Sequence, residues 1–111
     1  MSLFQKIVRL FQSKPTPITD DTRIRIERLF PPNEQAQVIN MLESQCGYNQ
    51  LGLSEPSSAA LLERIRLSVL KVSDGSLSEL LSAVKLAKYD WREVLQKAGH
   101  VKTWMPKKKW Q

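Results

Sequence analysis

Between Ser58 and Gly99 apolar residues recur every three or four positions in three successive runs, and each run is bounded by residues that start or stop a helix. Leu61, Leu62, Ile65, Val69, Leu70 and Val72 cover a broad face, which predicts a helix over 58–73 contacted on two sides and closed by Asp74 and Gly75. Ser76 and Glu79 stand at capping-box spacing ahead of an inward stripe of Leu77, Leu80, Leu81, Val84 and Ala87. Asp90 and Glu93 repeat that spacing ahead of Trp91, Val94, Leu95 and Ala98, with Gly99 as the stop. The chain is therefore expected to be all-α, a four- to five-helix domain with orthogonal or bundle-like packing.

Upstream the signals are weaker. Asp20, Asp21 and Thr22 offer N-cap chemistry for a helix carrying Ile26, Leu29 and Phe30, although the Arg-Ile-Arg-Ile alternation at 23–26 also suits a strand. Pro31 and Pro32 end that segment, and Pro32 opens a helix bearing Gln35, Val38, Ile39, Leu42 and Cys46, stopped by Gly47. Residues 48–57 read as a connecting loop. At the N-terminus, Leu3, Phe4, Ile7, Val8, Leu10 and Phe11 predict an amphipathic helix over 2–12. Pro15 and Pro17 then make 13–19 a semi-rigid linker that would leave this helix outside the main fold.

Charge divides the chain at the same places. Residues 1–19 hold Lys6, Arg9 and Lys14 and no acid, and residues 100–111 hold Lys102, Lys107, Lys108 and Lys109 and no acid. Residues 20–99 hold ten basic side chains against all eleven acids, so the net charge of +6 resides in the ends. Three units follow: an amphipathic helix and linker over 1–19, a neutral helical domain over 20–99, and a basic aromatic tail over 100–111. No run is long enough to span a bilayer and no leader-peptide pattern is present, so a cytoplasmic location is expected.

Catalytic chemistry finds few candidates. Cys46 is the sole cysteine, read as a small buried apolar residue because no basic neighbour in sequence would lower its pKa. His100, the sole histidine, lies past the last helix stop with no partner at metal-ligand spacing. The four glycines are turn or cap residues and form no phosphate loop. No cofactor, metal or catalytic residue is expected. Trp91 and Arg92 could anchor a partner, but Trp91 falls on the inward stripe and is read as core or semi-buried. Arg64 and Lys71, seven apart, and Arg66 paired with Glu63 are read as a solvated face.

The run Glu63-Arg64-Ile65-Arg66, Leu70-Lys71, Ser73-Asp74-Gly75, Leu86-Ala87-Lys88, Asp90-Trp91-Arg92-Glu93 and Ala98-Gly99, with Leu29-Phe30-Pro31-Pro32 and Cys46-Gly47 upstream, resembles a family of small uncharacterised bacterial helical proteins. The resemblance covers about residues 23–99 and omits both basic ends. It implies a bacterial source and an α-helical fold, and it brings no activity, ligand or site residue.

The ends hold the residues with no structural duty in this reading. Trp104 and Trp110 flank Lys107, Lys108 and Lys109, while Phe4, Ile7, Val8 and Phe11 form the apolar face of the first helix. The leading expectation is a non-enzymatic module that contacts another protein, a second copy of itself included. An anionic membrane surface, met by the first helix and the Trp/Lys tail, is the first alternative. Single-stranded nucleic acid, stacked on the tail's tryptophans, ranks below it because such a ligand has no use for Phe4 and Phe11.

Overall fold

The computed structural model describes residues 15–54 and 58–100. Phe4, Ile7, Val8 and Phe11 of the expected first helix, and Trp104, Lys107, Lys108, Lys109 and Trp110 of the tail, lie outside the described residues. Five helices follow one another: α1 Asp20–Leu29, α2 Pro32–Gln45, α3 Tyr48–Leu51, α4 Ala59–Ser73 and α5 Leu77–His100. No strand occurs among the described residues, and the fold is all-α. The strand alternative at 23–26 fails on burial. A helix buries Thr22, Ile26 and Leu29 on one side and leaves Ile24 44% exposed, whereas a strand would have placed Ile24 and Ile26 on the same face.

Several boundaries differ from the sequence reading. The N-cap of α1 is Thr19, whose Oγ1 accepts from the Thr22 amide at 3.2 Å, while Asp20 and Asp21 occupy the first turn, where their charge favours the helix dipole. Pro32 opens α2 as expected, and Gln35 reaches back to donate to the Phe30 carbonyl at 2.9 Å, satisfying the end of α1. Gly47 does not stop α2 in a left-handed turn. Its backbone is extended (φ −106°, ψ −178°) and it precedes α3, a single turn within the segment read as loop, which ends at Gly52 with φ +70°.

The α4 stop is as expected, with Asp74 (φ 50°) and Gly75 (φ 84°) both left-handed. Only half of the expected capping box forms at α5: Ser76 Oγ accepts from the Glu79 amide at 3.3 Å, but the Ser76 amide donates to the Ser73 carbonyl. Asp90 breaks α5 (φ −159°, ψ 96°) and restarts it, with Oδ1 accepting from the Arg92 amide at 3.1 Å. Gly99 falls within the last turn and is not its stop.

Helices α4 and α5 make the main packing pair, with α2 and α3 closing on α5 and α1 on α2 and α4. Ile26, Val38, Leu42, Ile65, Val69, Leu70, Leu80 and Val94 are fully buried between them. Leu81 is not part of this core and is 45% exposed. Leu80, Ala83, Val84 and Ala87 already define the inward face, and Leu81 lies about 100° around the helix from Leu80.

The largest departure concerns Arg66, expected on a solvated face beside Glu63. It is 2% exposed. Its Nε donates to the Cys46 carbonyl at 2.8 Å, Nη1 to Pro17 at 3.0 Å, and Nη2 to Thr16 at 2.7 Å and Leu42 at 3.3 Å. Cys46 caps α2 and Leu42 lies in its last turn, and α2 has no basic residue of its own there. Arg66 therefore supplies, from α4, the cation that the C-terminal carbonyls of α2 attract. Its other arm holds residues 16–17 against the domain. The Thr16 amide also donates to the Glu43 carbonyl at 3.0 Å and the Ile18 amide to Glu43 Oε2 at 2.9 Å, so this part of the expected linker is bound to α2. Glu63 instead accepts from the Thr19 hydroxyl at 2.7 Å.

Gly47 is where this strap and α3 crowd together. A Cβ there would lie 2.7 Å from Gln50 Oε1, which accepts from the Gly47 amide, and 2.8 Å from Thr16 Oγ1. Since φ is ordinary, the penalty is steric. G47A is expected to lower the unfolding free energy by about 1–2 kcal/mol in urea melts, by displacing Thr16; a variant as stable as wild type would contradict the crowding.

Candidate functional site

Helix α4 uses two faces. Leu62, Ile65, Val69 and Leu70 point into the core, whereas Arg64, Leu67, Ser68 and Lys71 follow the i, i+3, i+4, i+7 spacing of another face. That second face forms one wall of an open groove of about 360 Å³, completed by Arg25 from α1 and by Leu95, Ala98 and Gly99 from the end of α5. The cations Arg25, Arg64 and Lys71 surround an apolar floor of Leu67, Leu95 and Ala98, and among the described residues no acidic or aromatic side chain lines it. Arg64 is exposed, while Arg25 and Lys71 are half-buried.

Local structure places each wall. The break at Asp90 re-aims the last turns of α5, so that Leu95 and Ala98 face α1 and α4 while Val94 remains in the core. Gly99 has no heavy atom within 4 Å of where a Cβ would stand, so that corner is open. Among the described residues the lining carries the Ser68 hydroxyl and the Lys71 amine but no carboxylate, thiol or imidazole. Among the described residues no group of three or more His, Cys, Asp or Glu side chains could hold a metal. An indentation this open would leave most of a small molecule exposed. What it can supply is charge-assisted hydrogen bonds around an apolar contact.

Arg64 and Lys71 were expected on a solvated face, and they are the groove's α4 rim. The heptad spacing with Leu67 between them was the available signal, but its meaning depended on the approach of α5. Trp91 is half-buried against the core, with the Arg92 guanidinium carbon 5.5 Å from its ring centroid and Arg92 Nε 3.2 Å from Asp90 Oδ1. These three residues cap and restart a helix. His100 ends α5.

Cys46 is fully buried, as expected. No basic residue flanks it in sequence, but the fold brings Arg66 and Lys88 within electrostatic reach. Burial prevails, pushing the thiol up from an ordinary 9.0 to about 12. Burial also pushes the Arg66 guanidinium down, opposed by the attraction of Cys46, Glu43, Glu63 and Tyr48.

No helix among the described residues is long and apolar enough to cross a membrane. No family model, curated protein or solved structure matches the chain.

The raised thiol pKa has a consequence for stability. Above pH 9 the unfolded chain loses a proton that the folded chain keeps, so stability should fall as pH rises from 9 towards 12, by about 1.4 kcal/mol per pH unit. Urea melts of wild type and C46A at pH 8 and pH 11 separate this from other titrations. The wild-type advantage should shrink at the higher pH, and a constant difference would contradict it.

Proposed function

We propose that this chain is a non-enzymatic helical module that contacts another protein, and that the groove between α1, α4 and the end of α5 is the contact site. The carrying observation is the convergence of Arg25, Arg64 and Lys71 from two helices around the apolar floor of Leu67, Leu95 and Ala98. This is the make-up of a small protein-binding surface, where buried apolar contact supplies affinity and rim charge supplies orientation and selectivity. The groove's concavity favours a protein over a flat bilayer. A bacterial cytoplasm is the setting in which we place it.

A photo-crosslinking residue at Ser68, inside the groove, tests this in cells against the same residue at Ser78, exposed on α5. The Ser68 position should yield a discrete protein adduct that Ser78 does not, and R64E should abolish it. No adduct at Ser68, or equal labelling at both positions, would contradict the assignment.

A further inference from the structure

The open corner of the groove is also where the chain leaves the described fold. Ala98 and Gly99 line it, no heavy atom stands within 4 Å of where a Gly99 Cβ would be, and α5 ends one residue later at His100. The chain that continues from there carries Val101, Trp104 and Met105, apolar residues outside the described ones. Trp104 is four residues beyond His100, so its Cα lies within about 14 Å of the end of α5. Leu95 lies only about 7.5 Å back along the helix. The floor of Leu67, Leu95 and Ala98 is therefore within reach of Trp104 with every described helix left in place. The N-terminal apolar residues join the fold elsewhere. Thr16 is bonded to Arg66 and to Glu43, across α4 from Arg64 and Ser68.

We propose that Trp104 of the same chain seats on this floor, and that a partner protein must displace it to bind. The proposal rests on the reading of the groove as a protein contact and adds how that contact is controlled.

The contact is apolar and asks no new ion pair of the rim. Arg25 and Lys71 keep the interactions they already make within the chain. An indole brings a large apolar area to a floor that, among the described residues, is aliphatic, and the exposed Arg64 can lie over its ring. A groove of about 360 Å³ is small for a ligand pocket and takes one such ring.

Charge limits the strength of this closure. Lys102 stands two residues from Trp104, and Lys107, Lys108 and Lys109 follow it, so seating the indole brings lysines towards three cations. Repulsion of this kind is screened over about 8 Å at physiological ionic strength. The tail is thus a weak occupant that a partner can replace. Added salt should strengthen its seat, the opposite of a contact held by ion pairs.

The test places the photo-crosslinking residue at Ser68 of the purified full chain, with Ser78 as the control, and maps the adducts by mass spectrometry. Ser68 should join the segment containing Trp104 with a yield that is the same from about 1 to about 100 μM, as an intramolecular contact requires. Raising the salt should increase that yield, and W104A should reduce it at least roughly tenfold with the far-UV circular dichroism unchanged. In cells, W104A should raise the partner adduct at Ser68. Absence of the tail adduct, a yield that grows with concentration, or an adduct indifferent to W104A overturns the proposal. So does a partner adduct in cells that W104A leaves unchanged. If the tail adduct is absent while Ser68 still cross-links a partner, the closure falls and the groove reading survives. A tail adduct with no partner adduct in either chain contradicts the groove reading and leaves Trp104 in its seat.

Discussion

The Arg66 guanidinium is 2% exposed, with backbone carbonyls of Thr16, Pro17, Leu42 and Cys46 around it. A cation removed from water costs several kcal/mol unless its donors are satisfied, and here carbonyl dipoles do this work in place of a bonded carboxylate. The arrangement answers two needs together. The last turn of α2 ends inside the protein, where its free carbonyls require donors, and the non-helical Thr16–Ile18 segment has no helix ladder to satisfy its own. A planar group with five donors can serve both from one point on α4; a lysine ammonium with three cannot match that fork.

The rest of the structure follows from where this fixes α4. With Arg66, Ile65, Val69 and Leu70 turned towards α2 and α5, the face bearing Arg64, Leu67, Ser68 and Lys71 turns outward beside α1. The same tie holds residues 16–18, and with them Thr19, whose hydroxyl caps α1 and donates to Glu63. Arg25 and Ile24 are thereby set at the edge of the groove and beyond it. Core and contact surface thus share one helix, and a change that rolls α4 would disturb both.

The helices themselves were legible because their apolar period and their punctuation agree, as at Ser73-Asp74-Gly75 and at Asp90. Burial of Cys46 was legible from its place on the α2 stripe. Arg66 was not. In sequence it is one of four charged or polar residues near Glu63, and only tertiary structure reveals that the end of α2 lacks a cation of its own. Gly47 misled for a related reason: a glycine after a helix usually marks a left-handed stop, yet here the requirement is steric, imposed by Thr16 from thirty-one residues away. Leu81 and Ile24 were ambiguous because a wide apolar period does not say which edge stays wet. The groove was half legible, since the Arg64–Lys71 spacing is local while its third wall depends on the break at Asp90.

If one buried guanidinium organises the domain, replacing it by an apolar side chain of similar length should loosen the strap and the end of α2 together. Amide hydrogen exchange on R66M, compared with wild type, measures this directly at Thr16 and Ile18, whose amides bond to Glu43, and at Cys46, whose amide bonds to Leu42. The account predicts that all three lose protection and that global stability falls by about 3 kcal/mol. Wild-type protection at these amides, with unchanged global stability, would contradict it.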